Sequence, residues 1–279
     1  MTMKRVLSVL FAVLSVPASS LAQQRPLVTE DPETIGAGLV LLEAGFDHQQ
    51  SVFYPVSGLE GNLLRLPTLG VSFGLGSVAE LQFDGGLYNR LSVSSRQRAP
   101  LSSELDFSGD TTSDVEDITV GTKIRLASER AGRPAIGVRL ATRLPNAGNE
   151  SGLGLDTTDF FVSFLLGKTI RSVRVVGNAG LGILGQPTDG HSQNDVFTYG
   201  VSFARAVQEG VEIVGEINGR LDTREGDPPP GTENRSAFRG GGRITRGTVR
   251  FDAAVILGLT SRDTSFGVTG GLTWVFRGK

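Results

Sequence analysis

From about residue 35 to the C-terminus, apolar side chains recur at every second position with polar or small residues between them. That is the period of a β-strand rather than of a helix. Glu116 to Ala127 shows it plainly: Ile118, Val120, Ile124 and Leu126 share one face, and Asp117, Thr119, Lys123 and Arg125 the other. Val211, Ile213, Ile217 and Leu221 stand opposite Glu212, Glu216, Asn218 and Arg220 in the same way. Twelve such segments are predicted, over 35–47, 62–75, 77–90, 116–127, 134–144, 157–168, 171–184, 195–207, 210–222, 236–245, 247–260 and 263–276. Most are about twice as long as the average strand of a soluble domain and match the length that crosses a bilayer at a tilt.

The connections between segments are sorted. Those after segments 2, 4, 6, 8 and 10 are short (Gly76, 128–133, 169–170, 208–209 and Arg246), whereas those after 1, 3, 5, 7 and 9 run to about ten residues or more. The connection after segment 11, near Ser261 and Arg262, is the one short exception. Aromatics fall in two groups. Phe46, Tyr88, Phe160, Phe197, Phe238 and Phe266 are expected near the long-loop rim, and Phe73, Phe164, Phe203, Phe251, Trp274 and Phe276 near the other. Short turns on one rim, long loops on the other, an even strand number and paired aromatic belts predict an all-β transmembrane antiparallel up-and-down barrel of about 12 strands. A secreted β-sandwich accounts for the alternation but not for the loop sorting or the belts. Within segment 2, Arg65 and Pro67 share parity with Leu69, Val71 and Phe73, which predicts a bulge or register change near Pro67.

The N-terminus reads as an export signal: Lys4 and Arg5, an apolar stretch from Val6 to Val16, and Ser20-Leu21-Ala22 at a cleavage site. Residues 1–22 are thus expected to be removed and 23–279 to form a single outer-membrane barrel domain with both termini in the periplasm. Composition excludes other classes. With no Cys and two His there is no thiolate metal site, and His-rich zinc ligation is disfavoured. Lys plus Arg total 27 against 29 Asp plus Glu, a balance that gives no reason to bind nucleic acid. The 38 glycines, about twice ordinary usage, have no three-residue period, so collagen is excluded.

The stretch Glu116-Asp117-Ile118-Thr119-Val120-Gly121-Thr122-Lys123, then Arg139, Leu144-Pro145-Asn146-Ala147-Gly148 and Asn178-Ala179-Gly180 resembles the outer-membrane transporter family called "MetA-pathway of phenol degradation". Glu116 stands where that family favours Gly, and Asn146-Ala147-Gly148 replaces its tight Thr-Gly. The resemblance covers about residues 60–220 and implies a barrel for small aromatic or apolar molecules.

The polar face supplies the candidate site. Expected lumen-lining residues are Glu80, Asp84, Asp117, Lys123, Arg125, Arg139, Arg143, Arg174, Glu212, Glu216, Arg220, Arg239, Arg243 and Arg250, with Glu43, Asp47 and Asp252 on the same face. They form either a polar constriction that selects solutes or a set of ion pairs filling a closed barrel. The function read from the sequence is passive diffusion of small molecules through an outer-membrane channel, with no cofactor, no catalytic residue and no metal. The expected partners are outer-membrane lipid, a small-molecule solute and the barrel-insertion machinery. The alternatives are an outer-membrane hydrolase and a closed structural or adhesive barrel. A hydrolase would have to use His191-Ser192, whose adjacency places the two side chains poorly for a proton relay. The acid-rich run Asp106 to Asp117 lacks the spacing of a calcium loop, and Asp227 to Gly231 reads as a stiff exposed loop.

Overall fold

A computed structural model describes residues 25–278 of the chain; the export signal read at 1–22 lies outside the described residues. The strands are β1 (Leu39–Tyr54), β2 (Leu59–Gly74), β3 (Ala79–Gly86), β4 (Asn89–Arg96), β5 (Thr111–Asp114), β6 (Ile118–Ala127), β7 (Ala135–Leu144), β8 (Asp159–Ile170), β9 (Val173–Gly185), β10 (Gln193–Gln208), β11 (Val211–Asp222), β12 (Arg235–Arg246), β13 (Val249–Gly258) and β14 (Phe266–Arg277). All pair antiparallel in one sheet, and β1 pairs both with β2 and, from Leu39↔Arg277 to Gln50↔Phe266, with β14. The sheet is therefore a closed barrel. Two of its twelve staves are broken: β3 and β4 both pair with β2, while β6 pairs with β3 and β5 with β4. Around the ring formed by β1, β2, β3 and β6 to β14, closure leaves no unpaired edge, the condition a sheet must meet in hydrocarbon, while β5 pairs with β4 alone.

Alternate residues of each stave point to opposite sides. On β13, Phe251, Val255 and Leu257 are exposed outward while Arg250, Asp252 and Ile256 are buried inside. On β8, Phe160, Val162, Phe164 and Leu166 are outward and Asp159 is buried. This is the inverse of a soluble core: greasy outside, charged within. At the end of β14 the outward rings of Trp274 and Phe276 pack 4.4 Å apart, and Phe73 meets Phe83 edge-on at 6.2 Å.

The rim with connections 75–78, 128–134, 171–172, 209–210 and 247–248 is the short-turn rim; 97–110, 145–158, 186–192 and 223–234 lie on the other. Three expectations need correction. The first connection is not long, because β1 runs on to Tyr54 and turns into β2 over 55–58. Gln49, Gln50 and Ser51 look like loop, but Gln49 and Gln50 pair with Gly267 and Phe266 of β14, and Val52 to Tyr54 continue the ladder with β2. Consequently Phe46 and Tyr88 lie mid-stave rather than at the rim, since β1 continues to Tyr54 and β4 to Arg96. The connection after β13 spans 259–265, longer than expected but no longer than 128–134 on the opposite rim.

The bulge expected near Pro67 is present: Gly45 pairs with Thr68 but Asp47 with Arg65, so Leu66 and Pro67 together stand opposite Phe46. Pro67 has no N–H to offer a ladder, which suits it to such a position. The extra residue flips the faces. Below it Thr68, Gly70 and Ser72 point inward; above it Arg65, Leu63 and Leu59 do. Above the bulge the polarity is that of a soluble protein. Leu59, Leu63 and Leu91 form a buried cluster with Val52, Tyr54, Leu105, Phe107 and Leu153 around them, and Arg90, Ser92 and Ser94 face outward.

Candidate functional site

The interior is crossed by the chain's own N-terminal segment. From Leu39 at the short-turn rim the backbone runs back up inside the barrel to Arg25, and polar groups along it find partners on the wall. The Ile35 N–H donates to Glu80 at 2.8 Å, and Glu33 pairs with Arg125. Asp31 takes both Nε and Nη2 of Arg174 at 2.8 and 2.7 Å. Glu30 accepts from Lys123 at 3.2 Å and from Arg139 at 3.0 Å, while its backbone exchanges hydrogen bonds with the Asn178 amide at 2.7 and 2.8 Å. The Val28 and Thr29 N–H groups converge on the Glu216 carboxylate at 2.9 and 2.8 Å. Arg25 reaches Asp252 at 3.4 Å, Thr269 at 3.2 Å and Thr68 at 3.1 Å. Its guanidinium lies against bare backbone: a Cβ on Gly271 would stand 2.6 Å from Arg25 Nε, and one on Gly45 closer still.

These contacts divide the fourteen sequence-derived candidates. Glu80, Lys123, Arg125, Arg139, Arg174 and Glu216 hold the inner segment. Lys123 is the most enclosed, 0% exposed, with Glu80 at 3.0 Å. Buried charges persist only when paired in this way. Glu212, Arg243 and Arg250 form a second group near the short-turn rim, with Glu212 3.5 Å from Arg250 and 3.9 Å from Arg243. Asp84, Arg239, Asp117, Arg143 and Arg220 line open space.

That space includes two larger chambers and a smaller pocket of about 340 Å³ beside Arg65, Asn89 and Glu116. One of about 440 Å³ lies beside the inner segment and is walled by Arg25, Glu30, Asp84, Glu116, Arg139 and Arg239 among others. The other, of about 510 Å³, lies at the loop rim between Tyr54, Val56, Leu153, Leu155, Arg220 and Arg235. Asp117 and Arg143 line both. Arg143 is held there by Asp159 on one side and by Asp117, at 3.9 Å, on the other. The Asp117 carboxylate is itself fixed by the N–H groups of Asn146 and Ala147 at 3.0 and 3.1 Å. Asp117 and Arg143 therefore stand between the loop-rim chamber and the chamber beside the inner segment.

Set beside solved structures, the barrel is similar to the "COG4313 outer membrane channel from Pseudomonas putida F1", with 13% identity, a TM-score of 0.63, and coverage of 88% of this chain and 98% of that one. It is also similar to the NanC porin, with 8% identity, a TM-score of 0.51, and coverage of 86% and 100%. The fold is that of the outer-membrane barrels. No protein-family model and no curated protein matches the chain.

Several interior residues were not singled out from the sequence. Arg65 bonds Asp47 at 2.9 Å and pairs with Glu116, yet the bulge disguises its parity. Asp159 opens its strand, and Arg235 precedes the stretch read as segment 10. The acids of the inner segment lay in a stretch with no strand pattern. In the loop containing His191 and Ser192, the Ser192 hydroxyl donates to the Gln186 side chain, and the His191 N–H to Asp189 at 3.2 Å. The two are not arranged as nucleophile and base. Of the acid-rich run, Asp114 and Asp117 serve as clamps for the 145–158 loop.

Proposed function

We propose that the mature chain is a passive outer-membrane channel for small molecules, exported by the signal at 1–22, with the short-turn rim and both termini in the periplasm and the loop rim outside the cell. One observation carries this reading. The barrel wall is apolar outside, and its interior keeps two charged chambers that meet at Asp117 and Arg143. Channels select by rings of charge and by width, and this junction and the inner segment supply both. The similarity to solved outer-membrane channels supports the fold, and the resemblance to the phenol-degradation transporter family supports small organic solutes. Lipid, the solute and the insertion machinery are the partners this role requires.

The test is single-channel recording in planar bilayers on the mature chain, run beside Asp31→Ala, which unties the inner segment from Arg174. Discrete conductance steps are expected, larger in the variant. Silence from both proteins, each shown to be folded by heat-modifiable migration, would overturn the proposal and leave a closed structural barrel.

A further inference from the structure

The loop-rim chamber has an uneven charge. Arg220 on β11 and Arg235 on β12 are direct partners in the ladder, and both point inward. Like charges placed directly opposite each other destabilise a sheet. Neither guanidinium is neutralised closely. Arg220 donates only to main chain, from Nε to the Glu233 carbonyl at 3.0 Å and from Nη2 to the Gly231 carbonyl at 2.7 Å. That uses two of its five N–H donors. Arg235 donates to the carbonyls of Arg262 and Phe53, and its one carboxylate neighbour among the described residues, Asp263, is 3.9 Å away.

The acids around the chamber are engaged elsewhere. Asp159 takes Arg143 and the Gly185 N–H, Asp117 takes the N–H groups of Asn146 and Ala147, and Glu233 takes the Gly231 N–H at 3.1 Å. Asp263 accepts from the Ser236 and Thr260 N–H groups at 2.9 and 3.0 Å. One side of the wall is apolar or aromatic, with Phe53, Tyr54, Val56, Leu153 and Leu155, while Ser57, Thr198 and Asn218 add neutral polar groups. A chamber of about 510 Å³ falls within the usual range of small-molecule sites, about 300–1,000 Å³.

We propose that this chamber binds a small organic carboxylate with an apolar body. The carboxylate meets Arg220 and Arg235, and the body rests against the Tyr54, Val56 and Leu155 side. Arginine suits the task because its fork of donors matches a carboxylate. The apolar wall separates this ligand from inorganic anions, which gain nothing from it. The proposal deepens the channel reading above and rests on it, since it names the class of solute that enters from outside.

The experiment compares benzoate with benzamide, its uncharged isostere, and with acetate, which lacks the ring. Binding to the full mature chain in detergent is measured by calorimetry, and block of current by recording with ligand on the loop-rim side. Saturable benzoate binding is expected, with benzamide and acetate each weaker by about tenfold or more, since an unmade charged hydrogen bond or an unburied ring costs at least that. Arg220→Gln should weaken benzoate by a similar factor. Leu155→Asn, which leaves the charges in place, should weaken benzoate and leave acetate unchanged. Equal binding of benzoate and benzamide, or benzoate binding untouched by both variants, would overturn the proposal. Conductance without benzoate binding removes the site and leaves the channel; benzoate binding without conductance removes the channel and leaves the site.

Discussion

Lys123 shows how the interior is balanced one residue at a time. It is enclosed by Glu80 and Glu30, one from the wall and one from the inner segment. Replacing it with Met leaves two buried carboxylates facing each other, and a loss of about 3–5 kcal/mol is expected. Urea unfolding of the reconstituted barrel would measure it. At the short-turn rim, Glu129 responds to pH. Burial works to raise its pKa, but hydrogen bonds from the Thr169 N–H and hydroxyl and from Lys168, with the charge of Arg174, outweigh it and hold the carboxyl below its ordinary value. A depressed pKa stabilises the fold above the ordinary carboxylate range, and the contribution fades as pH falls through the lowered value. Glu129→Gln should therefore unfold more easily than the parent at neutral pH, with the difference closing under strongly acidic conditions. Residues of this kind were legible to different degrees. Glu80 and Lys123 follow from parity on well-patterned strands. Asp159 and Arg235 are the first residues of their strands, and Glu30 meets a partner 93 positions away that no local pattern can indicate.

At the scale of elements, period two located the staves because lipid demands an apolar residue at every outward position. Where a strand leaves lipid the demand lapses, and so does the signal. That is why β4, with Arg90, Ser92 and Ser94 facing outward, is legible only up to residue 90. Arg65 and Pro67 announced the bulge because they broke the alternation of β2. The inner segment gave no such sign, for its order comes from wall side chains rather than from its own periodicity. Its hold can be loosened selectively. In Asp31→Ala, Arg174 keeps Glu129 at 2.6 Å, so the wall remains satisfied while the segment loses its bidentate tie. Higher conductance and more frequent transitions between levels are expected in bilayer recordings, with folding intact by gel migration. Unchanged current would show that the segment does not limit flow.

For the molecule as a whole, the decisive property is which side of the sheet meets hydrocarbon. Val201, midway along β10, and Ile170, the last residue of β8, are equally exposed at 59%. Their depths in a membrane differ. Arg at position 201 should cost about 2–4 kcal/mol of stability in lipid, and at 170 only about 0–1 kcal/mol. In a soluble protein the two would cost alike. Unfolding titrations from liposomes of both variants would separate the cases.

The reach of the inner segment constrains how the protein is put together. Its anchors are spread from β1 to β14, and Arg25 needs Asp252 and Thr269 from the two strands synthesised last. The Arg25 end of its berth is complete only once β13 and β14 are in place. A part of the chain that leaves the ribosome early thus takes its final contacts from the part that leaves last.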